Sequence, residues 1–375
     1  MSKGFKYPFL RIYSILNEIL FYSQEVELDP LSQAVFGATA AQAMASKFKH
    51  RHYWSILTVG ALGGLVPDLD VLITSTSDSL LQIEYHRHFT HSLFFVPFIG
   101  AFVSCLLFPV FKKSLSFKEV YLYSTIGALT HGFLDACTSY GTHLFWPLSL
   151  SRESWSIISI VDPLFTLPLI VLSLLVAIKR SYKFAHIGLI WICIYLGFGA
   201  FQHYRAKDFY VNYLAKEVEN KKVISVMVKP TIANLWVWRG ISVYDDYYRV
   251  DGLRLGVSNS NEVYTGRNVE KFTAKGPWED YKSSSQVLKD LKRFKFFSEG
   301  LIYNLPERPE IVGDLRYSLL PHSIEPLWVV ELDPGQKMNE GLEFYHTRNV
   351  TKNKKDLFIK MLFGKTISQE DLDNL

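Results

Sequence analysis

Hydrophobic and polar positions divide the chain into two unlike parts. Between Tyr53 and Tyr204 charged residues are sparse and apolar runs are long, whereas charged residues become frequent after Arg205. One run, residues 90–111, has 22 consecutive residues without Lys, Arg, Asp or Glu. Because a helix of that length can cross a hydrocarbon core of about 30 Å, the pattern predicts a membrane part followed by a soluble part.

Six apolar segments predict an all-α polytopic membrane bundle of about six helices. The first two segments are short and rich in Gly and Ala, which suits close-packed membrane helices or re-entrant segments. The fourth is also short and carries His131 and Asp135. The six segments are residues 31–46, 54–66, 90–111, 119–137, 157–178 and 184–201.

The polar C-terminal part predicts a smaller α+β domain. Residues 222–229 alternate as a strand does, and residues 235–250 are rich in β-branched and aromatic side chains. Residues 286–297 have the pattern of a helix with Lys and Arg on one face. The expected domains are an N-terminal interfacial segment (1–28), a membrane helical domain (29–204) and a soluble domain (205–375).

The N-terminal segment has two interpretations. Residues 9–22 are weakly apolar and include Asn17 and Glu18. Such a segment forms either an amphipathic helix on the membrane surface or an ordinary surface helix.

Basic residues predict the orientation of the membrane part. Three loops are rich in Lys and Arg, whereas residues 74–89 contain only Arg87 and residues 138–156 contain only Arg152. The positive-inside rule places the basic loops in the cytoplasm, so six spans would put both termini and the C-terminal domain on the outer, extracytoplasmic side. The basic clusters are Lys47, Lys49, His50, Arg51 and His52; Lys112, Lys113 and Lys118; and Lys179, Arg180 and Lys183.

Overall composition argues against a nucleic-acid partner and against a disulfide framework. The net charge of +4 and the pI near 8.7 are too mild to indicate a nucleic-acid partner, which leaves the lipid bilayer as the expected partner. The three cysteines, Cys105, Cys137 and Cys193, lie in apolar stretches without metal-ligand spacing. A disulfide framework is therefore not expected.

Ionisable residues inside the apolar part are the candidate functional residues. A charged side chain in a membrane segment costs about 2.5–3.5 kcal/mol on insertion scales, so such residues are rarely there without a function. With the orientation above, four groups fall at the outer ends of their helices, where a shared site could form. The groups are Asp68 with Asp70; His86, Arg87, His88 and His91; His131 with Asp135; and Asp162.

The spacing of His131 and Asp135 is the most informative. Residues i and i+4 lie on one face of a helix, one turn apart, so both side chains can reach a single ion. Imidazole and carboxylate are suitable ligands for zinc, manganese or iron. The alternative is a His–Asp hydrogen bond that joins helices.

This ligand set indicates hydrolytic chemistry with one or two divalent ions, most simply zinc. Such an ion lowers the pKa of a bound water to about 7. A remaining carboxylate, Asp70 or Glu84, is a candidate general base. Arg87 is a candidate for binding an anionic oxygen such as a phosphate, or is instead an interfacial arginine that reaches lipid headgroups.

The ordered motifs of residues 29–168 resemble the YdjM-type family of bacterial inner-membrane, metal-dependent hydrolases. The resemblance implies Asp68, His91, His131 and Asp135 as metal ligands, with Asp70 and His86 nearby. The motifs are Asp29-Pro30-Leu31-Ser32-Gln33-Ala34, Pro67-Asp68-Leu69-Asp70, His86-Arg87, Thr90-His91-Ser92, His131-Gly132-Phe133-Leu134-Asp135 with Thr138, Tyr140 and Gly141, and Ile160-Val161-Asp162-Pro163.

Two residues depart from the pattern of that family. Gln33 stands where many members have a His, which puts one ligand in doubt. His88 replaces a frequent Gly and is either a spare ligand or a neutral change.

Three functions remain open from the sequence. The first is a membrane hydrolase at the outer face of the bacterial inner membrane, acting on a phosphoester or lipid-derived small molecule. The second is a non-enzymatic membrane protein, with a structural polar cluster and an outer domain that binds a partner. The third is a metal-ion or proton transporter, which would need polar residues on the cytoplasmic half as well. The fourth helix offers only Ser124, Thr125 and Thr130 there.

Overall fold

The computed structural model describes residues 30–48, 50–217, 222–256, 260–274, 278–279, 285–333 and 340–373. In this part of the chain, a helical region is followed by a domain built on two antiparallel sheets. The predicted interfacial segment, residues 1–28, lies outside the described residues.

Seven α-helices form the N-terminal region of the described chain. Local sequence signals begin several of them: the Asp162 side chain caps α6 by accepting from the Phe165 backbone N–H, and Ser116 with Glu119 forms a capping box at α5. Short 3₁₀ turns follow α1 (Ser46–Phe48) and α2 (Val66–Leu72) and precede α4 (Phe89–His91). The helices are α1 (Pro30–Ala45), α2 (Tyr53–Leu65), α3 (Leu81–Tyr85), α4 (Val96–Phe111), α5 (Phe117–Cys137), α6 (Pro163–Lys179) and α7 (Lys183–Glu217).

The predicted number of six membrane helices is wrong, although each of the six apolar segments contains a helix. Within the described residues, two helices are long and apolar enough to cross a membrane, Tyr53–Leu72 and Lys183–Glu217. A third span results only if Leu81–His91 and Val96–Phe111 count as one, and these two meet at an 89° bend.

Length and polarity explain why the other helices fail as spans. The 16 residues of α1 extend about 24 Å at 1.5 Å per residue, which is less than the roughly 30 Å of a hydrocarbon core. α1 packs against α2, α5, α6 and α7, which bury its polar side chains Gln33, Thr39 and Gln42. α5 has 21 residues, but its apolar sequence is interrupted by Lys118 and Glu119 at one end and by His131 and Asp135 near the other.

Glycines allow α1, α2 and α5 to pack with their backbones in contact. A Cβ atom on Gly37 of α1 would lie 2.5 Å from the Gly60 carbonyl oxygen of α2, and one on Gly127 of α5 would lie 2.3 Å from the same oxygen. Small residues at such positions are the usual means of close helix approach in membranes. This contact lies one turn before His131 and therefore sets how close His131 comes to α2.

The last helix of the bundle, α7, extends into the C-terminal region. It has 35 residues, so the predicted domain boundary at 204/205 falls inside it. The Tyr210 hydroxyl near its C-terminal end donates to Asp251 Oδ2 of the first sheet at 2.8 Å. The helix thus joins the two parts of the molecule.

The C-terminal domain contains two four-stranded antiparallel sheets in the order β1-β2-β3-β4 and β5-β6-β7-β8. Residues 235–250 form most of a hairpin, β2 and β3, and the predicted helix at residues 286–297 is α8. The strands and helices are β1 (Ser225–Pro230), β2 (Val237–Val243), β3 (Tyr247–Arg254), β4 (Glu262–Glu270), α8 (Gln286–Phe297), β5 (Ile302–Leu305), β6 (Arg308–Asp314), β7 (Trp328–Glu331), β8 (Glu343–His346), α9 (Lys352–Leu362) and α10 (Gln369–Asp373).

Candidate metal centre

Ionisable side chains from three separate segments meet at one end of the helix bundle. Asp68 and Asp70 lie in the 3₁₀ turn that follows α2, and His91 lies in the turn before α4. His131 and Asp135 lie in the last two turns of α5. The basic loops are at the opposite ends of these helices. The structure therefore brings together groups that lie far apart in the sequence.

Four of these residues offer ligand atoms within 4.8 Å of one another; we call Asp68, His91, His131 and Asp135 the four-residue cluster. The Nε2 atoms of the two histidines are 2.8 Å apart. Asp68 Oδ1 lies 3.3 Å from His91 Nε2 and 3.2 Å from His131 Nε2. Asp135 Oδ2 lies 3.1 Å from His91 Nε2 and 3.6 Å from His131 Nε2.

Contacts on the far side of each imidazole determine which nitrogen faces the cluster. His131 Nδ1 is 2.5 Å from the Gly64 carbonyl oxygen, which can only accept, so Nδ1 carries the proton. His91 Nδ1 is 3.2 Å from Asp70 Oδ2 and 2.9 Å from Thr90 Oγ1, which also assigns its proton to Nδ1. Both Nε2 atoms then present lone pairs. Two nitrogens and two carboxylate oxygens therefore meet with no donor between them.

This arrangement fits a divalent cation. Buried lone pairs that face one another are unfavourable unless a cation or proton pairs with them. Asp68 Oδ1 and Asp135 Oδ2 are buried and accept no hydrogen bond from the described residues. In a tetrahedral site with metal–ligand distances of about 2.0–2.1 Å, ligand atoms lie about 3.3 Å apart. The observed separations, 2.8–3.6 Å, span this value.

A second group of ligand atoms shares Asp68 with the four-residue cluster. Both oxygens of Asp70 are engaged, because Oδ1 is 2.8 Å from His86 Nδ1 and Oδ2 accepts from the Arg87 backbone N–H at 2.9 Å and from the Thr90 hydroxyl at 2.7 Å. A carboxylate held in this way orients imidazoles. The geometry favours that role over the predicted role of general base. The second group consists of Asp68, Asp70 and His86.

Asp70→Asn is expected to weaken metal binding roughly 10- to 100-fold while the protein remains folded. Asparagine keeps the size of the side chain, but its amide is a weaker acceptor for the His91 and His86 N–H groups that fix the two imidazoles. Titration of the metal-free variant against a competing chelator measures the change. Asp78→Asn is the matched control, because Asp78 lies outside both groups and pairs with Arg293. Equal affinities in the two variants would contradict the orienting role.

Arg87 is buried beside the cluster. Its Nε is 3.4 Å from Asp135 Oδ2, and its guanidinium lies 4.3 Å from the centre of the Tyr140 ring. The backbone at Arg87 has a left-handed φ of 61°, a conformation that persists only where the surroundings impose it. Its carbonyl oxygen accepts from the His143 N–H at 3.1 Å and from the Thr142 hydroxyl at 3.0 Å. The guanidinium is thus held in place next to the Asp135 carboxylate of the cluster.

Gln33, which departs from the pattern of the resembled family, contacts the four-residue cluster. Its Nε2 donates to Asp135 Oδ1 at 2.7 Å, and both residues are buried. This bond leaves Asp135 Oδ2 to face the two histidines. Gln33 therefore orients a ligand of the cluster, which sequence reasoning did not predict.

Besides Arg87, three sequence candidates lie outside both ligand groups. Glu84 is half-exposed and its Oε2 accepts from Arg293 Nε of α8 at 2.9 Å. The His88 ring is 4.8 Å from the ring of His143, and burial lowers the pKa of His143 to about 4. Asp162 caps α6 and accepts from Tyr195. The structure does not bring these three residues to the cluster.

The C-terminal domain is hydrogen-bonded to the segment that follows α5, and the sequence did not predict this contact. The Ser139 carbonyl oxygen accepts from Lys229 Nζ at 2.9 Å and from the Tyr317 hydroxyl at 2.6 Å. Burial lowers the pKa of Lys229 to about 8. These bonds join residues about 90 and 180 positions apart, so no local pattern could have indicated them.

A stack of arginines and aromatic rings connects the C-terminal domain to the four-residue cluster. Arg87 and Arg152 both lie over the Tyr140 ring, at 4.3 and 4.6 Å from its centre. Arg152 also lies 5.5 Å from the centre of the Phe297 ring of α8 and donates to the His86 carbonyl oxygen at 3.0 Å. The only sequence signal was the presence of Tyr140 in the resembled motif. The C-terminal domain thus helps to position Arg87 and His86.

The family match to known proteins covers the helical part of the chain. Residues 28–206 match the family described as YdjM inner membrane protein. The chain is 22% identical over 216 residues to uncharacterized protein YfhP of Bacillus subtilis (strain 168), which is 58% of this chain and 59% of that protein. It is 30% identical over 112 residues to inner membrane protein YbcI of Escherichia coli (strain K12), which is 28% of this chain and 62% of that protein.

Each of these matches spans about three fifths of the relative's own length. No solved structure matches the chain. The apolar helices of the bundle agree with a membrane location. Residues 28–206, the helical part of this membrane protein, match the YdjM inner membrane protein family, and the resemblance of its motifs to that family is confirmed.

Proposed function

We propose that the protein is a metal-dependent hydrolase whose site lies at the outer end of its helix bundle. The observation that carries this proposal is the meeting of four lone-pair atoms, from Asp68, His91, His131 and Asp135, with no donor between them. Imidazoles mixed with carboxylates suit zinc best, with manganese or iron as alternatives. Such an ion supplies Lewis-acid polarisation of a substrate oxygen and activation of water.

Each neighbouring side chain has a distinct role in this proposal. Asp70 orients the imidazoles of His91 and His86, and Gln33 orients Asp135. His86 has Nδ1 engaged with Asp70 and so offers Nε2 as a proton acceptor, in the manner of a carboxylate–imidazole pair. With a second ion bound by the group that shares Asp68, His86 would be a ligand instead.

We further propose an anionic substrate with an apolar part, such as a phosphoester derived from a lipid. Arg87 is the fixed cation next to the cluster, and a guanidinium suits a phosphoryl oxygen. Asp68 is the cluster member nearest to solvent, with 21% of its side chain exposed. Leu69 and Leu72 beside it are 52% and 75% exposed, so the approach to the site is apolar.

The proposed location is the outer face of the bacterial inner membrane, with the C-terminal domain extracytoplasmic. The eight described Lys and Arg residues of the loops 46–48, 50–52, 112–119 and 179–183 lie at the end of the bundle opposite the cluster. The positive-inside rule assigns that end to the cytoplasm. Cysteine labelling at Ser151 and Ser181 tests the assignment: a membrane-impermeant reagent should modify only the first in intact cells.

The test of the activity uses the full chain, purified in detergent and loaded with zinc or manganese. Hydrolysis of bis-p-nitrophenyl phosphate, p-nitrophenyl phosphate and a diacyl phosphatidate is compared between the wild type and His131→Ala. We expect metal-dependent release of product by the wild type and none above background by the variant. Equal rates for both, or no turnover of any phosphoester by metal-loaded protein, would count against the proposal.

The second candidate function is a structural cluster in a non-enzymatic membrane protein. The observation that favours it is the network of Gln33, Arg87 and Asp135, which joins α1, α5 and the loop before α4 without any ligand. In that case His91 and His131 share a proton in place of a metal. A folded wild type that binds no transition metal would support this alternative.

A further inference from the structure

A cavity lies at the end of the bundle opposite the metal centre. Its volume is about 620 Å³, and its walls are formed by the start of α2 and the end of α6. Arg51, His52 and Trp54 line one side, and Ile178 and Arg180 line the other. A cavity of this size is within the range of about 300–1,000 Å³ that small ligands occupy.

The charge around the cavity is strongly positive. The described loop residues 46–48, 50–52, 112–119 and 179–183 at this end include eight Lys and Arg residues and one carboxylate, Glu119, which is 2.9 Å from His50. In the described part of the chain, neither Arg51 nor Arg180 forms an ion pair, and both are exposed. Two guanidinium groups that form no ion pair with the described residues therefore face one cavity.

Apolar side chains form the rim of the same cavity. Trp54 is 54% exposed and Ile178 is 60% exposed. Trp is enriched at membrane–water interfaces, where its ring lies at headgroup level. The cavity therefore presents cations on one side and apolar side chains on the other, at the end of two adjacent helices.

We propose that this cavity binds the phosphate-bearing headgroup of an anionic phospholipid. Guanidinium groups bind phosphate oxygens with paired N–H donors, and basic pockets between helices on the cytoplasmic side of a membrane bind anionic headgroups. The first turn of α2 adds backbone N–H groups, because its N-cap residue, His52, makes no side-chain capping bond. The apolar rim contacts the start of the acyl chains. This site is separate from the metal centre and does not depend on the proposed activity.

The test compares lipid retention by the full chain. Wild-type protein in detergent is mixed with equal amounts of phosphatidylglycerol and phosphatidylcholine, and bound lipid is counted by native mass spectrometry. We expect the wild type to prefer phosphatidylglycerol and Arg51→Gln/Arg180→Gln to lose that preference roughly 10- to 30-fold. Lys112→Gln/Lys113→Gln removes the same charge from the same end, outside the cavity walls, and should behave as the wild type.

Two results would overturn the proposal. One is equal retention of phosphatidylglycerol by the wild type and the double arginine variant, or an equal loss in the double lysine control. The other concerns the source of the phosphate. If inorganic phosphate alone raises the melting temperature of the wild type as much as phosphatidylglycerol does, the cavity binds a free anion. Gel filtration and the melting temperature confirm that each variant is folded.

Discussion

His131→Ala is expected to lower the metal affinity of the protein by more than about 100-fold, which exceeds the typical effect of changing a residue that only orients a ligand. The imidazole is fully buried, its Nδ1 is bound to the Gly64 carbonyl oxygen, and its Nε2 lies within 3.6 Å of three other ligand atoms. The metal content of gel-filtered protein and a chelator competition titration measure the change.

His88→Ala is the matched control for this prediction. His88 is also a histidine of the apolar part, but it lies outside both ligand groups and packs against His143 and Trp146. The control should retain wild-type metal content. Removal of the ion by a chelator should lower the melting temperature of the wild type and of His88→Ala, because a ligand that binds only the folded state stabilises it. A His131→Ala protein with full metal content would refute the assignment of this ligand.

Gly127→Leu is expected to prevent the helix bundle from folding. A Cβ atom at this position would lie 2.3 Å from the Gly60 carbonyl oxygen and 2.7 Å from the Gly64 backbone nitrogen. Both atoms belong to the α2 backbone, so no side-chain rotation can relieve the contact. Overpacking by a few methylene groups in ordinary cores costs about 1–3 kcal/mol, and occasionally more. Here α5 would have to separate from α2, and His131 would lose its bond to Gly64.

Gly197→Leu provides the control on another membrane helix. A Cβ atom on Gly197 of α7 would meet no atom within 4 Å, so leucine there has room and improves helix propensity. We expect monodisperse protein with an unchanged or slightly higher melting temperature from this variant, and aggregated or absent protein from Gly127→Leu. Equal yields and melting temperatures for the two variants would show that the backbone contact of α2 with α5 is not tight.

Local patterns were sufficient to predict the helices and most of the candidate ligands. Helical segments follow from long apolar runs, and α8 coincides with the predicted residues 286–297, because an amphipathic pattern depends only on nearby residues. The pairing of His131 with Asp135 follows from the i, i+4 spacing in the same way. That Asp68 and His91 join this pair depended on the orientation of the helices, which the distribution of Lys and Arg indicated.

The number of membrane spans could not be predicted from apolar runs. Residues 90–111 read as one span, but the chain turns at residues 92–95 and the helix begins at Val96. The turn places His91 in the cluster, and the Leu93 N–H donates to the Leu144 carbonyl oxygen of a distant loop at 2.9 Å. α1 is short because its neighbours enclose it, so it need not match the thickness of the bilayer. Both features are set by tertiary packing.

The side chains that orient the candidate ligands also could not be predicted from the sequence. Gln33 departed from the expected pattern, and only the structure shows that its amide donates to Asp135. The sequence suggested that Asp70 is a free carboxylate, whereas in the structure three donors surround it. The pairing of Arg293 with Glu84 and the contact of Tyr317 with Ser139 join residues more than 170 positions apart. Such contacts depend on how the C-terminal domain docks.

X-ray absorption spectroscopy of the purified full chain tests the metal centre most directly. At the edge of the metal that co-purifies, we predict a first shell of nitrogen and oxygen ligands at about 2.0–2.1 Å with the scattering pattern of two imidazoles. His131→Ala should retain one imidazole at most. A folded wild type that holds no stoichiometric metal, or one whose metal has no imidazole ligand, would contradict the metal centre described above.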